Sequence, residues 1–329
     1  MHILVTGGAG FIGSHAADLL VREGHQVTVL DSLVKGHKEA LHPDAAFVQG
    51  DCGDGELLEK LFSAKCFDAV MHFAAFIEAG ESMRNPGCFF VNNTSKTLML
   101  LDAMAAHSVR HFIFSSTAAT YGDPEYSPID EAHPQKPVNV YGYSKLLVEG
   151  ALKWMSEIHS MSCVCLRYFN AAGCSKNLGE DHSPETHLIP LALDVALGKV
   201  PSLKLFGTDY PTPDGTCVRD YVHVADLADA HLLALKKIFG SEVPLRLAYN
   251  LGNGRGFSVR EVIETARRVT DHPIPVIEEP RRPGDPAVLV ASSEKIKADL
   301  SWEPKYPSLE GIIESAWAWR KSHSGGYGK

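Results

Sequence analysis

Seven cysteines are spread through the 329 residues without a single CxxC pair, and an odd number cannot all pair with one another. No secretory leader pattern stands at the amino terminus. Both absences read as reduced thiols and a cytoplasmic setting. No apolar run approaches the roughly 18 residues of a membrane-spanning helix. Basic residues are in deficit: 31 Lys and Arg against 40 Asp and Glu leave a net charge of −9, which argues against nucleic acid as a partner. Clustered arginines could still make a local anion site. Internal repeats and low-complexity stretches are also missing. No metal site is expected, because the sixteen histidines show no converging ligand spacing. The pair with helix-like spacing, His107 and His111, has no acid nearby to complete a set.

What is present begins at the first residues. Ile3, Leu4 and Val5 form an apolar run, broken by Gly7, Gly8, Ala9 and Gly10. A helical pattern opens at Phe11 and runs through Leu19, Leu20 and Val21. A second apolar run, Val27 to Leu30, ends on Asp31. Strand, glycine turn, helix, strand and acid make the layout of a dinucleotide-binding unit. Gly8, Gly10 and Gly13 match GxGxxG, and Gly7 adds the wider GxxGxxG spacing. The glycines allow the sharp turn, the approach of a pyrophosphate and close helix–sheet packing, while free N–H groups at the helix start face the phosphates. Asp31 would accept bonds from the adenosine ribose hydroxyls and repel a 2′-phosphate, which favours NAD over NADP. The alternative is a glycine turn that serves packing alone.

The alternation continues. Strands are predicted at Ala46–Gly50, Ala69–Phe73, Phe112–Ser116 and Cys163–Tyr168. Helices are predicted at Glu56–Phe62, Tyr141–His159 and Thr94–Ala106, the last with Leu98, Leu101 and Ala105 on one face. The βαβα order implies an α/β fold, a Rossmann-type doubly wound parallel sheet with helices on both faces. After Asn170 the chain turns rich in Gly, Pro and Asp, with shorter helices at Leu188–Leu197, Val224–Lys237, Val259–Val269 and Leu309–Trp319. The expected division is a nucleotide-binding unit over 1–173, with a return segment near 221–250, and a smaller α/β substrate unit mainly over 174–329. Ligands of open α/β sheets lie beyond the carboxyl ends of the strands, where the second unit can close over them.

Chemistry concentrates at those ends. The strand Phe112–Ser116 runs into Thr117, and Tyr141 and Lys145 stand one helical turn apart. A phenol with its reference pKa of about 10 is a poor base, and bringing it near 7 takes roughly 4 kcal/mol of extra phenolate stabilisation. A lysine ammonium and an oxidised nicotinamide ring could supply that charge. Standing alone, YxxxK would read as a solvated helix pair. Beside the glycine fingerprint and Thr117 it reads as a hydride-transfer site.

GGAGFIGSH, Asp31, HFAA at His72–Ala75, Ser115–Thr117 and YxxxK together resemble the extended short-chain dehydrogenase/reductases. RYFNAAG at Arg167–Gly173, the run Gly207–Val224 containing VRDYVHV, YNLGNG at Tyr249–Gly254 and RRPGD at Arg281–Asp285 narrow the resemblance to the UDP-galactose 4-epimerase family, over nearly the full length. That resemblance implies interconversion of UDP-galactose and UDP-glucose: C4 is oxidised by tightly held NAD, the 4-keto sugar rotates, and the hydride returns to its other face. It implies Thr117, Tyr141 and Lys145 as catalytic residues. Gly7, Gly10, Phe11, Ile12 and Gly13 would cradle the pyrophosphate, and Asp51 and Cys52 would flank the adenine. Phe73, Ala74, Ala75 and Asn92 would line the cofactor, with Tyr168 and Phe169 by the nicotinamide and Lys145 on its ribose. Asn170, Arg219 and Arg282 would grip the UDP diphosphate, with Asp285 on the uridine ribose. Leu203, Lys204, Leu205 and Phe206 would line the uracil pocket, and His187, Leu188 and Tyr221 complete the contacts. In the family, the side chain at Leu289 sets the room for the sugar's 2-substituent. Leucine in place of tyrosine implies some activity on UDP-N-acetylhexosamines, the alternative being that Leu289 only fills the apolar strand Val288–Val290.

Other readings of single residues stay open. Arg219 could pair with Asp220 or Asp226, and Arg281 and Arg282 could be a solvated basic turn. A 4,6-dehydratase would want acids after Thr117, where Ala118 and Ala119 stand. A uronate or pentose 4-epimerase needs the same C4 chemistry, and a catalytically silent NAD-binding module is the reading from another class. The family resemblance also implies a homodimer, paired through Thr94–Ala106 and Tyr141–His159. Leu147, Ala151, Met155 and Ile158 make the candidate seam, or else ordinary core.

Overall fold

Ile3, Leu4 and Val5 are completely buried, as a strand covered on both faces must be, and their strand is the middle of the main sheet. The computed structural model describes residues 1–282 and 284–328. Pro283, inside the Arg281–Asp285 block, and Lys329, at the end of the 174–329 range, lie outside the described residues. The strands are β1 (His2–Thr6), β2 (Gln26–Asp31), β3 (Ala46–Gln49), β4 (Ala69–His72), β5 (His111–Thr117), β6 (Ser162–Tyr168), β7 (Asn170–Ala172), β8 (Leu203–Phe206), β9 (Val218–His223), β10 (Arg246–Leu251), β11 (Gly256–Ser258), β12 (Val276–Glu279) and β13 (Val288–Leu289). Seven of them form one sheet, β10-β6-β5-β4-β1-β2-β3, parallel throughout. The order reverses at β1, so the crevice of this doubly wound sheet opens there. Thr6 is in register with Leu30 on one side and His72 on the other, which brings Gly7, Asp31 and Phe73 out at one level.

Helices cover both faces. Phe11–Arg22 and Val224–Phe239 pack on one side with Leu20, Val29, Leu235 and Tyr249. Gly55–Ala64, Lys96–Ala106 and Val140–His159 pack on the other with Leu58, Leu101 and Val148. The helix predicted from Thr94 starts at Lys96, after a π-helical turn at Phe90–Ser95. It buries Thr97, Leu100, Leu101 and Met104 rather than Leu98 and Ala105, and Leu98 is exposed. With Leu98, Met99, Leu100 and Leu101 all apolar, periodicity cannot select the face. His107 ends this helix and sits 3.0 Å from Glu59, while His111 opens β5, so the two do not share a helix.

A second core joins Leu188–Ala196, Val259–Thr270 and Leu309–Ser322 through Leu193, Ile263 and Ile313. The middle of these helices begins with a capping box between Ser258 and Glu261. Beside this core β9 pairs with β7, β11 and β13, and β8 pairs with β12. The apolar strand read at Val288–Val290 appears as β13, while the helix Glu294–Leu300 and the other short strands of this region have no counterpart in the sequence reading. Among the described residues no helix is long and apolar enough to cross a membrane, and all seven cysteines are free.

Candidate active site

At the switch point, glycine is a steric requirement. Gly7 has φ +72°, and a Cβ there would lie 2.4 Å from the Ala74 nitrogen. A Cβ on Gly13 would lie 2.2 Å from the Gly7 carbonyl oxygen. The helix therefore sits hard against the turn, with Gly10 as its N-cap, no side-chain cap and no acid in its first turn. The N–H groups of Phe11, Ile12 and Gly13 have no intrahelical acceptor, which leaves an anion site with the helix dipole behind it. Asp31 is aimed by the backbone: it accepts from Ala9 at 3.0 Å and from Leu33 at 2.8 Å. A cavity of about 150 Å³ follows this edge and is lined by Gly7, Gly10, Asp31, Asp51, Cys52 and Asn92, and by Phe73, Ala74 and Ala75. Lys96, which the sequence reading missed, also lines it and ties the region together, donating to Asp51 at 2.5 Å and to Asn92 at 3.1 Å. Its one signal was the four-residue spacing from Asn92. Uncapped helix N–H groups, a fixed carboxylate and glycines that admit no side chain fit a dinucleotide.

At the end of β5, Thr117 is in register with Tyr168. The helix Val140–His159 starts against the turn that follows: a Cβ on Gly142 would lie 2.3 Å from the Ala119 carbonyl oxygen. Asn139 caps it by accepting from the Gly142 N–H at 2.8 Å. This packing brings the Tyr141 phenol beside Thr117. Burial pushes that phenol up to about 12 and Glu78 adds to the effect, while the Thr117 hydroxyl opposes it. The chain alone thus moves Tyr141 away from the value near 7 expected of a base. Burial likewise lowers Lys145 to about 7, against the pull of Cys52 and Glu149. Its Nζ donates to the Ser115 carbonyl at 2.8 Å and lies 4.8 Å from the centre of the Phe114 ring.

Tyr168 and Phe169 diverge. Tyr168 is buried in the sheet core and donates its hydroxyl to Ser115 Oγ, whereas Phe169 packs with Leu289 around Ala118, Tyr121 and Ile129. Behind them lies a buried polar network. Arg167 makes a two-pronged bond to Glu149, at 3.0 and 2.6 Å, and donates to the Tyr121 hydroxyl at 2.8 Å. That hydroxyl donates to Asn250 at 2.7 Å, and Ser116 donates to Glu149 at 2.6 Å. The arginine of RYFN is thus a strut for the ends of β5 and β6. Glu149, Tyr121 and Asn250 carry no local sequence signal for this role.

Beside the second core lies a cavity of about 250 Å³, lined by Asn170, His187, Leu188, Arg219 and Tyr221 and by Leu203, Lys204, Phe206, Arg282 and Asp285. Leu205 is not among the lining residues and packs in the second core. Leu289 lies outside the cavity lining, on β13 in register with Arg219. Alternation along VRDYVH sends Arg219 and Tyr221 to the cavity and Asp220 away from it. Asp220 accepts backbone N–H bonds from Asn253, Gly254 and Ala291 at 2.8, 3.0 and 3.1 Å, and burial raises it to about 6. Arg219 pairs instead with Asp285, and donates to its neighbour's carbonyl at 2.8 Å. The Arg282 guanidinium lies 3.9 Å from the centre of the Phe206 ring. Arg281 turns outward onto Asp209 and Tyr210. His187 places Nδ1 2.9 Å from both Glu180 and Glu185. Burial would lower this imidazole, but the two carboxylates outweigh burial and hold it up at about 10. Contrary to the expectation of no converging ligands, His182 joins this group, so two histidines and two glutamates meet beside the cavity.

A parallel sheet with a glycine-rich switch point, a Tyr/Lys helix beside a strand-end threonine and an arginine-bearing anion cavity together define a nucleotide-dependent oxidoreductase scaffold. The chain belongs to the NAD dependent epimerase/dehydratase family, whose model matches residues 3–252. Among its relatives, the UDP-glucose 4-epimerase of Halalkalibacterium halodurans is 53% identical over 99% of this chain and 98% of that protein. The crystal structure of UDP-glucose 4-epimerase from Bifidobacterium longum in complex with NAD+ and UDP is 37% identical, with a TM-score of 0.95 over 99% of this chain and 100% of that one. The UDP-Glc/GlcNAc 4-epimerase from Campylobacter jejuni is 41% identical, with a TM-score of 0.86 over 98% and 99%.

Proposed function

We propose that this chain interconverts UDP-galactose and UDP-glucose by NAD-dependent epimerisation at C4. The observation that carries the reading is that one chain has the Tyr141–Thr117 contact together with two cavities, one suited to a dinucleotide and one holding Arg219 and Arg282. Bound NAD supplies an acceptor for the C4 hydride and a donor for its return. Phe11, Ile12 and Gly13 hold the cofactor's diphosphate through their N–H groups, and Asp31 holds the adenosine ribose and disfavours NADP. Tyr141 takes the 4-hydroxyl proton and later returns it, and Thr117 bonds both partners. Lys145 orients the nicotinamide ribose. Arg219 and Arg282 grip the diphosphate, Asp285 the uridine ribose and Phe206 the uracil. Charge is concentrated at the nucleotide end, which suits a hexose that must turn over between the two hydride transfers.

The same reading makes UDP-N-acetylhexosamines secondary substrates, in keeping with a leucine at 289, packed against the same small cluster as Phe169, and with the dual specificity named for the Campylobacter jejuni relative. It takes 1–173 with the segment near 221–250 as the nucleotide unit and 174–329 as the substrate unit, the strand Arg246–Leu251 completing the parallel sheet. A cytoplasmic enzyme suits the seven free thiols. A homodimer paired through Lys96–Ala106 and Val140–His159 suits their exposed Met99, Leu147, Trp154 and Ile158. The test is incubation with UDP-glucose, UDP-galactose and both N-acetylated counterparts, without added NAD. Conversion of the plain pair supports the reading, and recovery of all four unchanged rejects it.

A further inference from the structure

Beside the UDP cavity the chain runs Glu180-Asp-His182-Ser-Pro-Glu185-Thr-His187, two Glu-x-His units joined by a turn. Residues two apart share a face in extended chain, and the turn folds the second pair onto the first. One ligand atom from each of the four side chains lies within 4.8 Å of all the others. His187 Nδ1 is 2.9 Å from a carboxylate oxygen of Glu180 and of Glu185, while His182 Nδ1 is 3.3 Å from Glu180 and 3.8 Å from Glu185. A tetrahedron with bonds of about 2.0–2.1 Å has edges of roughly 3.3 Å. The contacts use both oxygens of Glu185, Oε1 toward His187 and Oε2 toward His182, so the four side chains surround one point and small side-chain rotations would bring one atom from each to the corners that such an ion requires.

Three further observations point to a ligand. His182 Nδ1 is buried and faces the cluster, with the Glu180 carboxylate 3.3 Å away but no aligned hydrogen bond. Glu180 is buried although its carboxylate faces only these histidines among the ion-pairing groups. Glu185 is pre-aimed, with one oxygen accepting the N–H groups of Thr186 and His187 at 2.7 and 2.9 Å. Binding an ion here displaces the proton that the two carboxylates hold on His187, after which two carboxylates and two imidazoles balance the charge of a divalent cation. Arg320 approaches Glu185 at 3.5 Å but makes its closer bond, 2.9 Å, to Asp194.

We propose that Glu180, His182, Glu185 and His187 bind one zinc ion per chain. Two nitrogens and two oxygens suit zinc among the common divalent ions, and four protein ligands leave no open position for substrate, so the ion is structural. It fastens the segment that spans the two cavities. On the cofactor side His37 donates to the Asp181 carbonyl at 2.8 Å, Lys35 donates to the Ser183 carbonyl at 3.0 Å, and the His182 ring meets Phe11. On the substrate side His187 lines the cavity.

The test uses the full-length, NAD-loaded protein, stripped with a chelator and dialysed against buffered zinc, with metal counted by mass spectrometry. Wild type and the control His272→Gln should hold one zinc per chain and gain thermal stability from it. His182→Gln and Glu185→Gln should bind at least roughly 100-fold more weakly, the loss that removal of even an outer partner can bring. Retained NAD reports that each variant is folded. Should the variants fail to fold, the wild-type stoichiometry decides alone. A wild type that takes up no zinc, or variants that bind it as wild type does, would overturn the proposal and leave a hydrogen-bonded charge cluster.

Discussion

Replacing Arg219 with alanine perturbs one defined pair. The arginine is almost completely buried against the cavity and bonded to Asp285, which is itself partly exposed to the cavity. If Arg219 grips the UDP diphosphate, the variant loses a charge-assisted bond worth about 1.5–3 kcal/mol. It also leaves the Asp285 carboxylate without its partner where a dianion must bind. The upper figure corresponds to a roughly 150-fold weaker Kd. Asp285→Ala removes the ribose contact and frees Arg219, whose charge the diphosphate then balances, so UDP should weaken about tenfold, near the value of one ordinary hydrogen bond. In the double variant no orphaned carboxylate remains, so its loss should fall short of the summed singles by on the order of 1 kcal/mol. Calorimetric titration with UDP reads all three without any turnover. Arg219→Ala binding UDP within a few-fold of wild type, or strictly additive losses, would refute the clamp.

Lys145→Met should change how stability depends on pH in the cofactor-free protein. The folded ammonium titrates near 7 against 10.5 for the free group. Between those values the unfolded chain binds more protons, so this group makes stability rise with pH. From pH 7 to 9 wild type should gain about 2 kcal/mol relative to the variant in denaturant unfolding, and parallel curves would contradict the burial of a free amine there. Gly13→Ala forces a Cβ to 2.2 Å from a backbone oxygen. It should destabilise the protein by about 1–3 kcal/mol and deplete bound NAD, measured by melting and by cofactor release, whereas an unchanged protein would remove the tight turn from the cofactor site. Leu289→Tyr should lower turnover of N-acetylated relative to plain UDP-hexoses at least roughly tenfold, and an unchanged ratio ends its role in specificity.

The parallel sheet was readable because its strands are covered on both faces, so Ile3–Val5, Val27–Leu30 and Cys163–Tyr168 stand out as largely apolar runs, broken only by Thr28 and Arg167. The nucleotide cradle was readable because it is local: Gly7, Gly13 and Asp31 act through turn geometry within one βαβ unit. Contacts between distant segments were not. Nothing in the neighbourhood of Arg219 marks Asp285 as its partner, and Lys96 meets Asp51 only once the chain has folded. Alternation alone could not sort the Leu203–Phe206 strand, since Leu203 and Leu205 share a face yet only Leu203 lines the cavity. The Tyr141 phenol shows a different limit. Its position follows from a helix start, but its proton affinity depends on burial and on charges the chain alone does not carry.

The most direct measurement follows a label. UDP-galactose carrying deuterium at C4 is incubated with the purified protein and no added NAD, and the product is read by NMR and mass spectrometry. A captive redox cofactor serving one anchored sugar predicts UDP-glucose with deuterium kept at C4 and none passed to unlabelled substrate in the same tube, and no product at all from Tyr141→Phe with its NAD still bound. Exchange of the label with solvent, or brisk conversion by Tyr141→Phe, would contradict it.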